Sequence, residues 1–220
     1  MTRTYTVTED SATVGSRRDA RRFLPMPPTP MTGAGGRTTA GPVSATAFRT
    51  LMAGFPAGVA VITAADEAGR PYGTTCTAIS SVSADPPTLL VCMQRSSRTL
   101  AVLERSGGFA VNLLDDRARA VAELFAARGP DRFERVGWTA RPDWAGPHLD
   151  RAAHSVADCR ITGSVTVADH VVLFGEVYRA AAADDGRPRP LVHGLRAYWS
   201  LGGRGALPDA PPDPTTEAQR

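Results

Sequence analysis

Apolar and polar positions in the middle of the chain follow two alternating periods, one of about 3.6 residues and one of 2. Ser44 opens SATAFRTLMAGF, where Phe48, Leu51, Met52 and Phe55 recur at helical spacing. A short amphipathic helix is predicted there, with Ser44 or Thr46 as its N-cap. Residues 58–65 are rich in Val and Ile and predict a strand; 66–69 predict a turn and 70–80 a second strand, making a hairpin. Thr88 to Met93 is a short apolar strand. Ser96 or Ser97 caps a helix reaching about Ser106, Gly107-Gly108 ends it, and Phe109 to Leu114 forms the next strand. Asp115 opens DDRARAVAELFAA, a helix with its acids at the favoured end of the dipole, stopping near Gly129-Pro130. A long connection carries Trp138 and Trp144 through residues 131–158. Alternation returns in 159–167 and 171–180, a second hairpin, and residues 191–200 predict a final strand. Six or seven short, mostly antiparallel strands with few helices point to a closed barrel.

The flanks read differently. Residues 1–43 are rich in Thr, Arg, Pro and Gly and predict a disordered tail; residues 202–220 predict another. The folded domain is expected over residues 44–201. SRRDARRFLP carries twin arginines, but PMPPTPM follows in place of an apolar segment, so no secretory signal is predicted. Met26 or Met31 would serve equally as a start.

Charge excludes one function class. The chain carries a net charge of +3, and residues 1–44, with six arginines against Glu9, Asp10 and Asp19, account for all of it. The domain itself sums to zero, which gives no footprint for nucleic acid. No apolar run approaches the roughly 20 residues that span a bilayer. Cys76, Cys92 and Cys159 are scattered without a CxxC, which predicts reduced thiols and a cytoplasmic setting. The four histidines (148, 154, 170, 193) lack metal-ligand spacing, and no metal is expected. A GxGxxG after a strand is also missing, so a nicotinamide cofactor would be held without a Rossmann loop.

Two segments carry candidate chemistry. The stretch from Gly73 to Pro87, GTTCTAISSVSADPP, is dense in hydroxyls. By itself it reads as a strand with a wet face; it also offers donors and acceptors that suit the polar edge of an isoalloxazine ring. Ser96-Ser97-Arg98-Thr99 sits at a helix start, where free N–H groups, two hydroxyls and a guanidinium suit a phosphate, although Ser-Ser before a helix is also an ordinary cap.

In order and spacing, FPAGVAVITA (55–64), SVSADPP (81–87), SSRT (96–99), GFAVNLL (108–114) and Asp169-His170 resemble the flavin reductase family of FMN-binding split barrels. The likeness covers about residues 46–200. It implies a mainly β fold with flanking helices, an antiparallel six-stranded split β-barrel, and a homodimer with flavin near the subunit interface. It implies an NAD(P)H:flavin oxidoreductase that passes hydride from NADH or NADPH to FMN or FAD and supplies a partner monooxygenase. The residues implied to bind flavin are Thr75, Cys76, Thr77, Ser81, Val82 and Ser83 along the ring and Ser97 and Thr99 at the phosphate. Arg132 and Phe133, from an Asp-Arg-Phe segment, and the aromatic Tyr198 are implied nearby. His170 is implied to position the nicotinamide. Here Ala168 stands where the family has Gly, so a left-handed turn at that point would be strained. Two alternatives remain on the residues: a non-catalytic flavin carrier or sensor, and a flavin-dependent oxidase of an organic substrate.

Overall fold

Both faces of the strand Ala60–Ala65 are buried, and this decides the architecture. Ala60, Ile62 and Ala64 face one apolar cluster with Leu103, Phe109, Val111, Val91 and Leu173. Val59 and Val61 face a second, with Leu114, Ala122, Phe125 and Leu149. Period-2 alternation in a strand buried on both sides thus serves two cores. Each fully buried Ile, Leu or Phe contributes about 1.5–3 kcal/mol.

The computed structural model describes residues 5–7, 41–129, 131–183 and 188–201 of the 220. In chain order the elements are β1 (Tyr5–Val7), α1 (Ala45–Ala53), β2 (Ala57–Gly58), β3 (Ala60–Ala65), β4 (Pro71–Cys76), β5 (Ile79–Ala84) and β6 (Pro87–Gln94). There follow α2 (Arg98–Ser106), β7 (Gly108–Leu114), α3 (Arg119–Ala126), a 3-10 turn (Phe133–Arg135), β8 (Ala153–Val167), β9 (His170–Ala183), β10 (Leu191–Gly194) and β11 (Ala197–Ser200). The large sheet runs β4-β3-β7-β8-β9-β6-β5, with β1 paired to the end of β9. Its path begins on β4 and ends on β5, which are consecutive in sequence. The sheet therefore comes round on itself at residues 77–78, where the Cys92 N–H donates to the Ala78 carbonyl at 2.9 Å. A small sheet, β11-β10-β2, lies beside it.

Several expectations shift. The strand expected over 70–80 is broken at Thr77-Ala78 into β4 and β5, so SVSADPP belongs to a second strand whose turn falls at the cis Asp85-Pro86 bond. The helix expected from Asp115 starts at Arg119. Asp115 instead bridges to Pro190, and its carboxylate accepts from the Arg117 N–H at 3.1 Å, an Asx turn in place of a cap. The second hairpin is longer than its alternation suggested, 15 and 14 residues, with register shifts at Asp158/Cys159 and Ile161/Gly163 that break the period. The expected final strand is the hairpin β10–β11, turned by Leu195 and Arg196, both left-handed (φ 51° and 60°). Most of the expected tails, 1–43 and 202–220, lies outside the described residues, but Tyr5–Val7 is a strand on β9.

The predicted first helix is present, and the Ser44 side chain accepts from the Ala47 N–H as its cap. Among the described residues nothing covers its apolar face: Phe48, Leu51, Met52 and Phe55 are all exposed, with Trp199 and Leu195 of the β10–β11 hairpin.

The connection 136–152 holds its place through buried polar groups. The Asn112 amide donates to the Val61 carbonyl (3.2 Å), the Thr63 hydroxyl oxygen (3.1 Å) and the Pro147 carbonyl (3.3 Å), and accepts from the Leu149 N–H at 2.8 Å. The Thr63 hydroxyl donates to the same Pro147 carbonyl at 2.6 Å. His148 Nε2 lies 3.1 Å from both oxygens of the fully buried Asp158. Such groups remain in a core only when satisfied.

Candidate active site

At one end of the barrel, β6 runs into α2 beside the tip of the β8–β9 hairpin. Gln94, the last residue of β6, pairs with His170, the first of β9. The Arg95 N–H donates to the Asp169 carbonyl at 2.9 Å, which ties the tip to the turn before α2. Ser97 then caps α2, its hydroxyl accepting from the Leu100 N–H at 3.4 Å. Leu100, Val102 and Leu103 bury the helix, and Gly107 ends it in a left-handed conformation (φ 72°) open to glycine at little cost.

Over this helix start lies a cavity of about 580 Å³. Ser96, Ser97, Arg98, Arg128 and Arg132 line it, together with Thr74 and Cys92. Among the described residues, three guanidiniums and no carboxylate border it. Arg132 is held by carbonyls: Nη1 donates to Gly73 (3.1 Å) and Phe125 (3.0 Å), and Nε to Gly129 (3.2 Å). Burial, and then the neighbouring Arg98 charge, holds its pKa below the usual guanidinium range. A positively charged, donor-rich wall at the N-terminal end of a nine-residue helix is chemically matched to a phosphate. Burial, and then the Asp169 charge, pushes the Cys92 thiol up, so it stays a neutral wall of the cavity.

His170 stands at the rim of this end. Its Nδ1 is 2.8 Å from Asp169 Oδ1, and that contact lowers the Asp169 pKa. The tip is reached through Ala168 at φ 51°, so the left-handed turn that sequence raised as a condition is present, with its strain.

The implied site residues fall into two groups within one chain. Ser97, Thr99 and Arg132 line the cavity; His170 does not line it but pairs with the lining residue Gln94; Thr99 is buried. Phe133 lines an adjoining cavity and stacks edge-on against Phe125 (5.0 Å) and Trp138 (5.8 Å). Thr75 turns away: its hydroxyl donates to the Ala122 carbonyl of α3 at 2.6 Å, so alternation brings Thr74 to the cavity instead. Cys76 is buried in the barrel core, its thiol pushed up mainly by burial. Thr77 lines a separate cavity of about 640 Å³ with Ser80, Phe55, His193 and Arg196. Ser81 and Val82 are exposed on β5, and the Ser83 hydroxyl donates to the Asp85 carbonyl at 2.9 Å. Tyr198 lies on β11 beside His193 (5.1 Å) with the Arg119 guanidinium over its ring. Thr77 and Ser80 thus line a cavity that α1 also borders through Met52 and Phe55.

Sequence reasoning missed Thr74, Arg128 and His193 as lining residues and placed Arg98 only beside the hydroxyls. Thr74 was recoverable from strand phase, because Thr74 and Thr75 must face opposite ways.

The Flavin reductase like domain model matches residues 52–202. A flavin reductase (NADPH) of Lentzea aerocolonigenes is 46% identical over 160 residues, 72% of this chain and 92% of that protein. The reductase subunit of a flavin-dependent monooxygenase from Rhodococcus jostii is 35% identical over 64% of this chain and 71% of its own length. Among solved structures, a nitrilotriacetate monooxygenase component B homologue from Mycobacterium thermoresistibile superposes with a TM-score of 0.69 at 30% identity, covering 77% of this chain and 93% of that one. The antiparallel sheet closing on itself at residues 77–78, the cavity at the start of α2 and these likenesses agree, and the chain belongs to the flavin reductase-like domain family.

Proposed function

We propose that the protein is an NAD(P)H-dependent flavin reductase that moves hydride from NADH or NADPH to FMN or FAD and releases the reduced flavin to a monooxygenase. The observation that carries this reading is the cavity at the start of α2, bordered by three arginines and no carboxylate. A bound flavin accepts hydride at its own ring, so the chain needs no nucleophile or metal of its own. Its residues bind and orient. Ser97, Arg98 and the α2 N-terminus hold a phosphate, while Arg132 fixes the floor through its three carbonyl bonds. His170, opposite the lining residue Gln94, orients the nicotinamide toward the flavin, where contact at about 3–3.5 Å is required.

The chain acts as a homodimer. The exposed apolar side chains of α1 support this, as does the position of Thr77 in the cavity that α1 borders. A second copy seated there brings the ring-binding group of one subunit toward the phosphate-binding group of the other. No helix among the described residues is long and apolar enough to cross a membrane.

The test is oxidation of NADH and of NADPH by purified protein with and without added FMN, FAD or riboflavin. Turnover that saturates with flavin supports the reading. Flavin retained with no nicotinamide oxidation overturns it in favour of a carrier. His170→Ala is expected to raise KM for the nicotinamide while flavin affinity holds; loss of flavin instead refutes the role given to His170.

A further inference from the structure

The flavin cavity lies at the start of α2; another opens at its end. This cavity, of about 430 Å³, sits between the last residue of α2 and the start of β7, the connection 140–147, and Arg160 and Tyr178 on β8 and β9. Its wall is anchored from behind. The Pro147 carbonyl accepts from the Thr63 hydroxyl and the Asn112 amide, and the Ala145 N–H donates to the buried Asp158 carboxylate at 2.9 Å. A Cβ on Gly146 would stand 2.5 Å from the Thr63 carbonyl oxygen, so glycine lets the connection lie flat on β3. Fixed walls around a volume of this order are what small ligands fill.

The groups left over at this cavity are donors and cations. Among the described residues, no acceptor reaches the buried Trp144 Nε1. A buried donor in that state is costly, and the indole is not free to turn. His148 stacks on it at 3.8 Å, with its own Nε2 fixed to Asp158. The Arg141 guanidinium lies 5.3 Å from the centre of the Trp144 ring system, and the Arg160 guanidinium 5.7 Å from that of Tyr178. Both arginines line the cavity, and among the described residues neither makes an ion pair. Acceptors that would compete are already occupied. Asp143 supplies the wall's one carboxylate among the described residues, and Arg179 binds it. At the end of α2 the Gly107 carbonyl takes the Ile161 N–H at 2.9 Å, and the Gly108 carbonyl takes the Ser106 hydroxyl at 3.0 Å. One indole N–H and two guanidiniums therefore remain, set among the apolar Ala65, Ala140 and Pro147. A planar carboxylate on a small apolar body answers both kinds of surface.

We infer that the cavity at the end of α2 binds a small organic carboxylate, whose oxygens take the Trp144 N–H and the Arg141 and Arg160 guanidiniums. It shares no lining residue with the flavin cavity, and the nine residues of α2, about 13 Å of helix, separate the two. The inference stands apart from the flavin reading. Benzoate is the probe, and isothermal titration of the full-length protein reads its affinity, with benzyl alcohol as the neutral body of similar shape. The native protein is expected to bind benzoate with a Kd of about 1 mM or below, and benzyl alcohol about tenfold or more weakly. Arg141→Gln and Arg160→Gln each weaken benzoate about tenfold, the loss of one charge-assisted contact. Trp144→Phe keeps a ring on His148, removes the donor and weakens benzoate about fivefold. Arg141 and Arg160 are exposed, so their replacement leaves folding intact even if Trp144→Phe does not. Absence of saturable benzoate binding overturns the assignment, as does equal affinity for benzyl alcohol. A Kd within about twofold of native in any of the three variants also overturns it, and that is the result if benzoate sits at the arginines of the flavin cavity instead.

Discussion

Asn112 is the residue on which the irregular connection most depends, and its removal is the sharpest test of the structural argument. Asn112→Ala deletes three donated bonds and one accepted bond, all fully buried. The Pro147 carbonyl keeps the Thr63 hydroxyl at 2.6 Å, so it is not orphaned. The Leu149 N–H is orphaned, because Leu149 is 0% exposed and the Asn112 carbonyl oxygen was its acceptor. One unsatisfied buried donor costs about 1–3 kcal/mol, and the vacated amide volume adds about 1 kcal/mol. A loss of about 2–4 kcal/mol is expected. Thr63→Val is the control: it keeps the shape and leaves Pro147 with the Asn112 amide, so it costs about 1 kcal/mol. Urea unfolding of flavin-free protein at one fixed concentration reads both. If Asn112→Ala lies within 1 kcal/mol of native, or if Thr63→Val costs more than Asn112→Ala, the network does not anchor the connection as argued.

Further outcomes are expected. Ala168→Gly relieves a left-handed residue and should stabilise the fold by about 1 kcal/mol, raising Tm by about 2–4 °C; a lower Tm would contradict the strain. Gly73→Ala places a Cβ 2.8 Å from Phe125 Cε1 and 3.1 Å from Phe133 Cζ, so it should cost about 1–3 kcal/mol. It should also weaken FMN, since the Gly73 carbonyl holds Arg132; unchanged affinity in a titration would speak against that coupling. Burial, chiefly, pushes the Cys159 thiol from 9.0 up to about 12. The stability this represents is complete below about pH 9 and is lost as pH rises toward 12, because the unfolded thiol ionises first. Urea midpoints measured at rising pH should fall over that range, and less steeply in Cys159→Ala; identical slopes would refute it.

Much of the fold was legible because its signals are local. The apolar runs of β3 and β7, the Ser44 and Ser97 caps and the Gly107 stop follow from side-chain pattern and backbone preference alone. What escaped was set by distant partners. Thr77-Ala78 reads as strand, yet it breaks where the barrel meets its own end. Asp115 reads as a helix start, but the bridge to Pro190 holds it outside the helix. The site was half legible for the same reason. SSRT announces a capped helix start in its own residues. The adjoining cavity that Phe133 lines exists only because residues 70–73, 98–99 and 129–138 converge.

The break at Thr77-Ala78 has a kinetic consequence. Around the rest of the sheet, neighbouring strands hold each other through antiparallel ladders, some interrupted by register shifts. At this seam the Cys92 amide on the Ala78 carbonyl extends the β5–β6 ladder by one rung, and the Cys76 thiol of β4 adds only weak contacts to Ala78 and Cys92 at 3.7 and 3.6 Å. The barrel is a sheet with a latch, and a latch opens more often than a ladder. The Cys92 amide therefore exchanges its hydrogen ahead of the amides of β3 and β7. Cys92 also lines the cavity at the start of α2, so ligand that rests on this wall slows the same exchange, and the amide of one residue reports both the breathing of the barrel and the occupancy of that cavity.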